Sequence, residues 1–247
     1  MAEHKLKRCR FRDHVVYYRQ GTSDEKVLEE VITNRCYRRA KARFDVERGE
    51  HWLDLGANIG AFAVYCALRG ATVTCYEPDP KNFKILEKNV QPPQATLHEA
   101  AVTDSDVEEI FLWQDGREDA HSRGTVLTES GHKGTFYQNV RNVHASTLLE
   151  EVYDGVKIDI EGGEFSLIDH SLIPPCRKLV LEYHTSRDQS IVNLRKRISL
   201  LKHQFDQVLY PAELDRLMRG DEDKKTFFDR TIFCINGMPK MTVRRAA

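Results

Sequence analysis

The chain has 247 residues, with 37 Lys plus Arg against 38 Asp plus Glu, a formal net charge of -1 and 40% apolar residues. At roughly 100–200 residues per domain this allows one large domain or two small ones and excludes a linear-motif carrier. The near-neutral balance gives no overall polycationic signal for a nucleic-acid or anionic-membrane partner.

The N-terminal MAEHKLKRCRFRDH is charged throughout and has no apolar h-region, so no cleaved secretory signal is expected. The longest uncharged apolar stretch lies between Asp54 and Arg69 and has 14 residues, short of the ~20 of a membrane-spanning helix. A cytoplasmic address is the expectation. Six cysteines, at 9, 36, 66, 75, 176 and 234, have no two within four positions and read as reduced thiols rather than redox pairs or zinc ligands.

Residues 1–50 hold 13 Lys/Arg and 9 Asp/Glu, a local charge of +4 that leaves -5 for the remainder. After Thr22-Ser23-Asp24, the spacing of Val27, Leu28, Val31 and Ile32 predicts a helix over about 24–40, ending in RCYRRAKAR. That run reads either as a solvated helix face or as a basic lip for an anionic substrate. The segment is taken as an N-terminal helical, basic extension packing on a main domain of residues 51–247.

From residue 51 short apolar runs alternate with longer helical ones. HWLDL (51–55) predicts a strand, followed by a Gly-containing turn and a helix with Phe62, Val64, Ala67 and Leu68. TVTCYE (72–77) predicts a second strand, then a helix after Asp79, and ATLHEAAV (95–102) predicts a third strand. Residues 103–144 break the rhythm, with EEIFLW and TFYQNV as strands and GREDAHSRG and ESGHKG as turns, a β-rich excursion beside the ligand crevice. The alternation resumes with a short helix at 146–151, strand GVKIDI (155–160), a helix from Glu164, strand KLVLEYH (178–184), a helix over about 189–203, and the late strands FDQVLY and RTIFCIN. Strands separated by helices of this length predict an open α/β sheet with parallel crossovers and helices on both faces.

The most informative stretch is Asp54-Leu55-Gly56-Ala57-Asn58-Ile59-Gly60, which closes a strand and opens a helix. Gly56 and Gly60 let the backbone turn sharply and approach a ligand, and the helix N-terminus behind them offers free N–H groups to an anion. Glu77, seventeen residues past Gly60 at the end of the second strand, stands where a carboxylate accepts both hydroxyls of a ribose. A dinucleotide fingerprint is GxGxxG; here Asn58 occupies the place where bare backbone would meet a pyrophosphate. Asp54 points instead to a ligand carrying an ammonium, held directly or through water. S-adenosylmethionine supplies these parts: adenosine, ribose hydroxyls for Glu77 and a zwitterionic tail at the loop. The plainer reading gives the glycines a tight turn and Glu77 a helix cap, which explains each feature singly but not their conjunction.

LDLGANIGAFAVYCALRGATVTCYEPDPKNFKILEKNV (53–90), VKIDIEGGEFSLID (156–169) and LEYH (181–184) carry DxGANxG, EPxP and DxEGxE in order. In these motifs the chain resembles the FkbM-type S-adenosylmethionine-dependent methyltransferases over roughly residues 51–184. The resemblance implies a class I methyltransferase Rossmann-like fold: a mostly parallel seven-stranded sheet with helices on both faces and an antiparallel last strand, which suits the FDQVLY and RTIFCIN pair. It further implies a hydroxyl acceptor on a sugar, glycan or small metabolite. On the matching positions it places Asp54, Gly56, Ala57, Asn58, Gly60, Glu77, Pro78 and Asp159 at the cofactor. Ala100 or Ala101 would lie against the adenine, with a backbone N–H free for a ring nitrogen.

GVKIDI delivers Asp159 to the carboxyl edge of the sheet, with Glu161, Gly162 and Gly163 on the next turn. Acids at 159, 161 and 164 repel one another unless a cation or proton donor sits among them, and the cofactor sulfonium is such a cation. Asp159 is expected at the sulfonium or methionine end, and Glu161 is expected to accept the proton of, or orient, the acceptor hydroxyl. The competing reading makes Glu161 and Glu164 first-turn acids that complement a helix dipole. His184 is a second base candidate with Glu182 as its orienter, or a structural strand-end histidine. Asp159 and Glu182 offer two oxygen ligands to a divalent cation, but no third ligand adjoins His184 in sequence, so no metal is expected. His121, Ser122 and Arg123 are candidates to reach the substrate. An RNA methyltransferase using the basic runs Lys5 to Arg12 and Arg35 to Arg43 is the alternative function, although only Tyr37 and Phe11 interleave as stacking aromatics; a non-catalytic cofactor-binding scaffold is the third.

Overall fold

The computed structural model describes residues 4–114, 124–127, 136–185, 190–220 and 229–236. The chain opens with an antiparallel hairpin of β1 (Leu6–Phe11) and β2 (His14–Arg19), in register Phe11 opposite His14, turned by Arg12 at φ 53°. The β-branched and aromatic run of HVVYYR behind a two-residue link is the sequence signal for it, and the helical reading of this segment does not include it. Helix α1 (Asp24–Leu28) follows and widens into a π turn over Glu29–Thr33. The predicted continuation to residue 40 does not form. Instead Arg35 and Arg43 adopt left-handed backbone at φ 53° and 54°, Arg39 bridges to Phe44, and Tyr37 and Phe44 turn inward to full burial. Burial of two aromatic rings outweighs the helical preference of the basic run, because each ring contributes far more than the few tenths of a kcal/mol per residue that propensity supplies.

The βα alternation from residue 51 forms as read. β3 (His51–Leu55) leads through α2 (Ala61–Arg69) to β4 (Thr72–Tyr76), and α3 (Pro80–Asn89) leads to β5 (Ala95–His98). The third strand was expected to run unbroken over 95–102. It ends at His98, and β6 (Ala101–Thr103) leaves the main sheet to join β7 (Glu109–Gln114), β8 (Gly124–Leu127) and β9 (Phe136–His144) in a second sheet of order β6-β9-β7-β8. The excursion is thus a separate sheet launched from the carboxyl end of β5. Its predicted turns, apart from Gly124, and with them His121, Ser122 and Arg123, lie outside the described residues.

A 3-10 turn over Ala145–Glu150 returns the chain to β10 (Tyr153–Ile158), α4 (Glu164–Asp169), β11 (Cys176–His184), α5 (Ile191–Gln204), β12 (Gln207–Leu209), α6 (Ala212–Arg219) and β13 (Asp229–Ile235). Helix α6 has no counterpart in the sequence reading. The main sheet has the order β12-β13-β11-β10-β3-β4-β5, parallel throughout except for β13, which runs antiparallel to both neighbours. Among the described residues no helix is long and apolar enough to cross a membrane.

Strand alternation sends Trp52 to one face and Leu53 and Leu55 to the other, into two separate hydrophobic clusters. Helices α4, α5 and α6 cover the second face. The first face is covered by α2 and α3 and by Val16, Leu28, Val31, Ile32, Tyr37, Phe44 and Val46 of the first fifty residues. Gly155 of β10 lies under the Trp52 indole, where an added Cβ would stand 2.4 Å from ring carbon Cε2. Gly155→Ala is therefore expected to destabilise the fold by about 1–3 kcal/mol through overpacking, read as a lowered melting temperature with unchanged far-UV circular dichroism.

Candidate active site

The carboxyl ends of β3, β4 and β10 open onto a cleft lined by Gly56, Asn58, Glu77, Pro78, Asp159 and Glu161, with Ala101, Thr103 and Leu112 also in its wall. This is the edge where open parallel sheets bind ligands. Among the sequence candidates, Asp54, Ala57, Gly60 and His184 do not line it. Tyr76, Asp79, Asn82, Thr103, Leu112 and Ile160 line it without having been singled out. Asp79 and Asn82 were legible as the N-cap and first turn of α3, next to Glu77; Thr103 and Leu112 depend on the second sheet and have no local signal.

The helix N-terminus behind Gly56 and Gly60 is expected to offer free amides to an anion; the amides of residues 56–60, in the loop before it, are all taken within the protein. Gly56 and Ala57 N–H both donate to Tyr76 O at 3.0 Å, Asn58 N–H to Glu77 Oε2 at 2.7 Å, Ile59 N–H to Asn58 Oδ1 at 2.7 Å and Gly60 N–H to Ala57 O at 2.9 Å. Asn58 takes φ 52° to make this closed arrangement, a conformation Asn tolerates better than most residues. Gly56, at φ 80°, lies so close to the next loop that a Cβ would stand 1.9 Å from Asp159 O, which makes its glycine a packing requirement between two loops. Gly60 sits beneath, at the start of α2 against Leu86. The Ala100 amide is also taken, donating to His98 O at 3.0 Å.

Glu77 is buried and lines the cleft. Besides the Asn58 amide on Oε2, its Oε1 accepts Asp79 N–H at 2.9 Å and Asn82 Nδ2 at 3.3 Å. Burial pushes the carboxyl up to about 7, against the opposing pull of those donors, while neighbouring Asp79 adds to the rise. Asp79 in turn caps α3, accepting Lys81 N–H at 2.8 Å.

Asp54 was expected to meet a ligand ammonium. Its carboxylate is fully buried and bonds the Lys157 ammonium at 2.9 Å, the two residues being direct register partners on β3 and β10. Lys157 Nζ also donates to Gly56 O at 3.0 Å and lies 3.7 Å from Asp159 Oδ2. Burial disfavours the charged lysine, but Asp54 and Asp159 more than reverse this and hold it well above its ordinary value. The protein thus supplies its own ammonium to Asp54, and the carboxylate that faces the cleft is Asp159.

His184 resolves the crowding of acids at 159, 161 and 164. Its Nδ1 and its own backbone N–H contact Glu164 Oε1 at 2.9 and 3.0 Å, and its Nε2 lies 3.7 Å from Asp159 Oδ1 and 3.6 Å from Glu161 Oε2. Burial alone would lower the imidazole, but Glu164 first, then Asp159 and Glu161, raise it to about 10. These acids favour the protonated imidazole, and the carboxylate bonded to its Nδ1 is Glu164, where Glu182 was expected as the orienter. Glu164 Oε2 also accepts Gly162 N–H at 2.7 Å. The turn it pins carries Glu161 at φ 52° and Gly162 at φ 108°. Among the described residues no three His, Cys, Asp or Glu side chains form a metal-ion site.

A cleft at this edge, with a buried acid after the second strand and no amide cradle, defines a nucleoside-binding enzyme of the class I methyltransferase architecture. The methyltransferase FkbM domain matches residues 54–210, and the chain belongs to that family, as an S-adenosylmethionine-dependent methyltransferase. It is 25% identical over 214 residues to AMB antimetabolite synthetase AmbE of Pseudomonas aeruginosa, a match that takes in 69% of this chain and 10% of the synthetase, so the chain spans about a tenth of that relative. In fold it is similar to a candidate transferase of Pyrococcus horikoshii (TM-score 0.50, 10% identity, covering 95% of this chain and 73% of that one). It is also similar to magnesium protoporphyrin IX methyltransferase of Synechocystis with bound cofactor (TM-score 0.44, 13% identity, covering 86% and 79%).

A raised His184 makes stability depend on pH with a definite sign. The folded value of about 10 exceeds the ordinary 6.5, so its contribution is complete below pH 6.5 and is lost as pH rises toward 10. Denaturant unfolding between these limits is expected to show stability falling with pH, and His184→Gln should flatten that part of the profile. An unchanged slope in the variant would contradict the buried imidazolium.

Proposed function

We propose that the chain transfers the methyl group of S-adenosylmethionine to a hydroxyl of an uncharged sugar, glycan or small metabolite, with Glu161 as general base. The observation that carries this reading is the position of Glu161: a carboxylate on the cleft wall, its Oε2 3.6 Å from the buried His184 imidazolium. When bound, the cofactor supplies a sulfonium-activated methyl group. The chain's residues fit such a ligand. The closed amides of residues 56–60 suit a ligand without phosphate, and Glu77 keeps one acceptor position, on Oε2, for a ribose hydroxyl. Asp159 faces the cleft with Lys157 and His184 on either side, a carboxylate available to the cationic part of the cofactor. Glu161 would hold the acceptor hydroxyl and accept its proton at the cleft wall, where the bound cofactor would supply the methyl group. Alignment within the cleft lowers most of the barrier, about 7–11 kcal/mol for well-oriented reactants.

The same electrostatics speak against RNA. Of the cations in RCYRRAKAR, Arg38 lies 3.3 Å from Asp45 and Arg39 lies over the Phe233 ring at 4.4 Å. A polyphosphate chain would meet Asp159 and Glu161 at the cleft.

Two outcomes test the reading. A screen of hydroxyl acceptors with labelled cofactor should find Glu161→Gln turning over about 10²–10⁴-fold more slowly, with calorimetric cofactor affinity nearly intact; full turnover with the true acceptor would refute the base. Ribose hydroxyls donate best to an ionised Glu77, whose value is about 7. Cofactor affinity should therefore fall as pH drops below 7, by about tenfold per pH unit for one linked proton, and Glu77→Gln should bind weakly at every pH.

A further inference from the structure

We propose that Arg19, on the N-terminal hairpin, is a positioning residue for cofactor binding, acting on Glu77 through Asn82. This rests on the reading of Glu77 as the ribose carboxylate. Arg19 ends β2 and is buried; its Nε and Nη2 donate to Asp24 Oδ2 and Oδ1 at 2.9 and 2.8 Å, and Nη2 also donates to Asn82 Oδ1 at 2.7 Å. Asn82, buried on α3 and lining the cleft, turns its amide nitrogen to Glu77 Oε1 at 3.3 Å. An amide offers its oxygen on one side and its NH₂ on the other. The guanidinium on the oxygen therefore fixes which group Asn82 presents to Glu77. A flipped amide would set oxygen against carboxylate.

Two further observations mark this as a built device. Arg19 Nη1 is buried with no hydrogen-bond partner among the described residues, so the guanidinium carries a desolvation cost that its two anchored nitrogens must offset. Two helical turns along α3, Asn89 Oδ1 accepts Tyr17 N–H at 2.6 Å while its Nδ2 donates to Ile59 O, inside the β3–α2 loop, at 2.7 Å. Strand β2 thus touches one cleft loop through each of two asparagines on the same helix face, and the fork of Arg19 governs the one that reaches Glu77. The charged groups around Glu77 are Asp79 on its own loop and, behind Asn82, Arg19 with Asp24.

The test uses Arg19→Lys, which keeps a cation for Asp24 but not the planar fork that also reaches Asn82, together with Asn82→Ala, the double variant and Glu77→Gln, all in the full chain. Calorimetry with S-adenosylmethionine across pH 6–8.5 should show Arg19→Lys and Asn82→Ala each weakening affinity about tenfold, the scale of one hydrogen bond to a charged group. Both should move the pH at which affinity turns over upward from about 7, because Glu77 loses a donor to its ionised form. The double variant should be no weaker than Asn82→Ala. A lowered melting temperature with wild-type affinity and turnover pH in Arg19→Lys, or losses that multiply in the double variant, would overturn the proposal. If Glu77→Gln alone binds like the wild type, the ribose reading itself fails; if it binds weakly while Arg19→Lys does not, only the positioning role fails.

Discussion

Two buried cations hold the carboxyl edge of this sheet together. Asp54, Asp159, Glu161 and Glu164 converge there from β3 and from the turn after β10, and four carboxylates in so small a volume repel one another strongly at the low dielectric of a protein interior. Lys157 and His184, on the adjacent strands β10 and β11, divide that charge between them: the lysine takes Asp54 and one side of Asp159, the imidazolium takes Glu164, Glu161 and the other side of Asp159. Parallel register puts Lys157 directly beside Asp54, so this half of the arrangement follows from strand pairing alone. The His184 half requires the turn at 161–163 to fold back through left-handed backbone, and Glu164 secures it by bonding Gly162 and His184 with its two oxygens.

Once those charges are balanced internally, what remains for a ligand is narrow. The β3–α2 loop spends its own amides on Tyr76, Glu77, Asn58 and Ala57, and a loop so satisfied gains nothing by binding phosphate. That is the physical difference between this GxxxG turn and a pyrophosphate-binding GxGxxG turn. Glu77 after β4 and Asp159 and Glu161 after β10 are the carboxylates that line the opening from those two strand ends.

Much of this was legible in the sequence where the signal is local. The βα alternation from HWLDL onward, the cap at Asp79 and the positions of Glu77, Asp159 and Glu161 at the cleft follow from periodicity and motif spacing, and the antiparallel last strand was implied by the family resemblance. What the sequence hid was non-local. Asp54 sits at a motif position that suggests a ligand contact, yet its partner is Lys157, 103 residues away. The need for a cation among the acids at 159, 161 and 164 was readable, but not that His184 on the neighbouring strand stands among them. The break of ATLHEAAV at residue 99 was hidden for the same reason: only the pairing of β6 with β9 pulls the chain out of the main sheet. RCYRRAKAR looked helical because propensity is local, whereas the burial of Tyr37 and Phe44 that overrides it is tertiary.

The charge division between the first fifty residues and the rest takes on a different meaning in this light. A surplus of +4 in an N-terminal segment suggests a surface turned toward an anionic partner. Instead Arg19 is sunk between Asp24 and Asn82, Arg38 pairs with Asp45 and Arg39 covers Phe233. Of these three Arg19 is buried while Arg38 and Arg39 stay exposed, and the segment's apolar residues complete one of the two core layers of the sheet. A domain that borrows a core layer from a preceding segment can also borrow orientation from it, since a side chain anchored in a packed layer has few rotamers left. In that sense the hairpin is continuous with the cofactor cleft: the strand that closes the core also ends in the guanidinium behind Glu77.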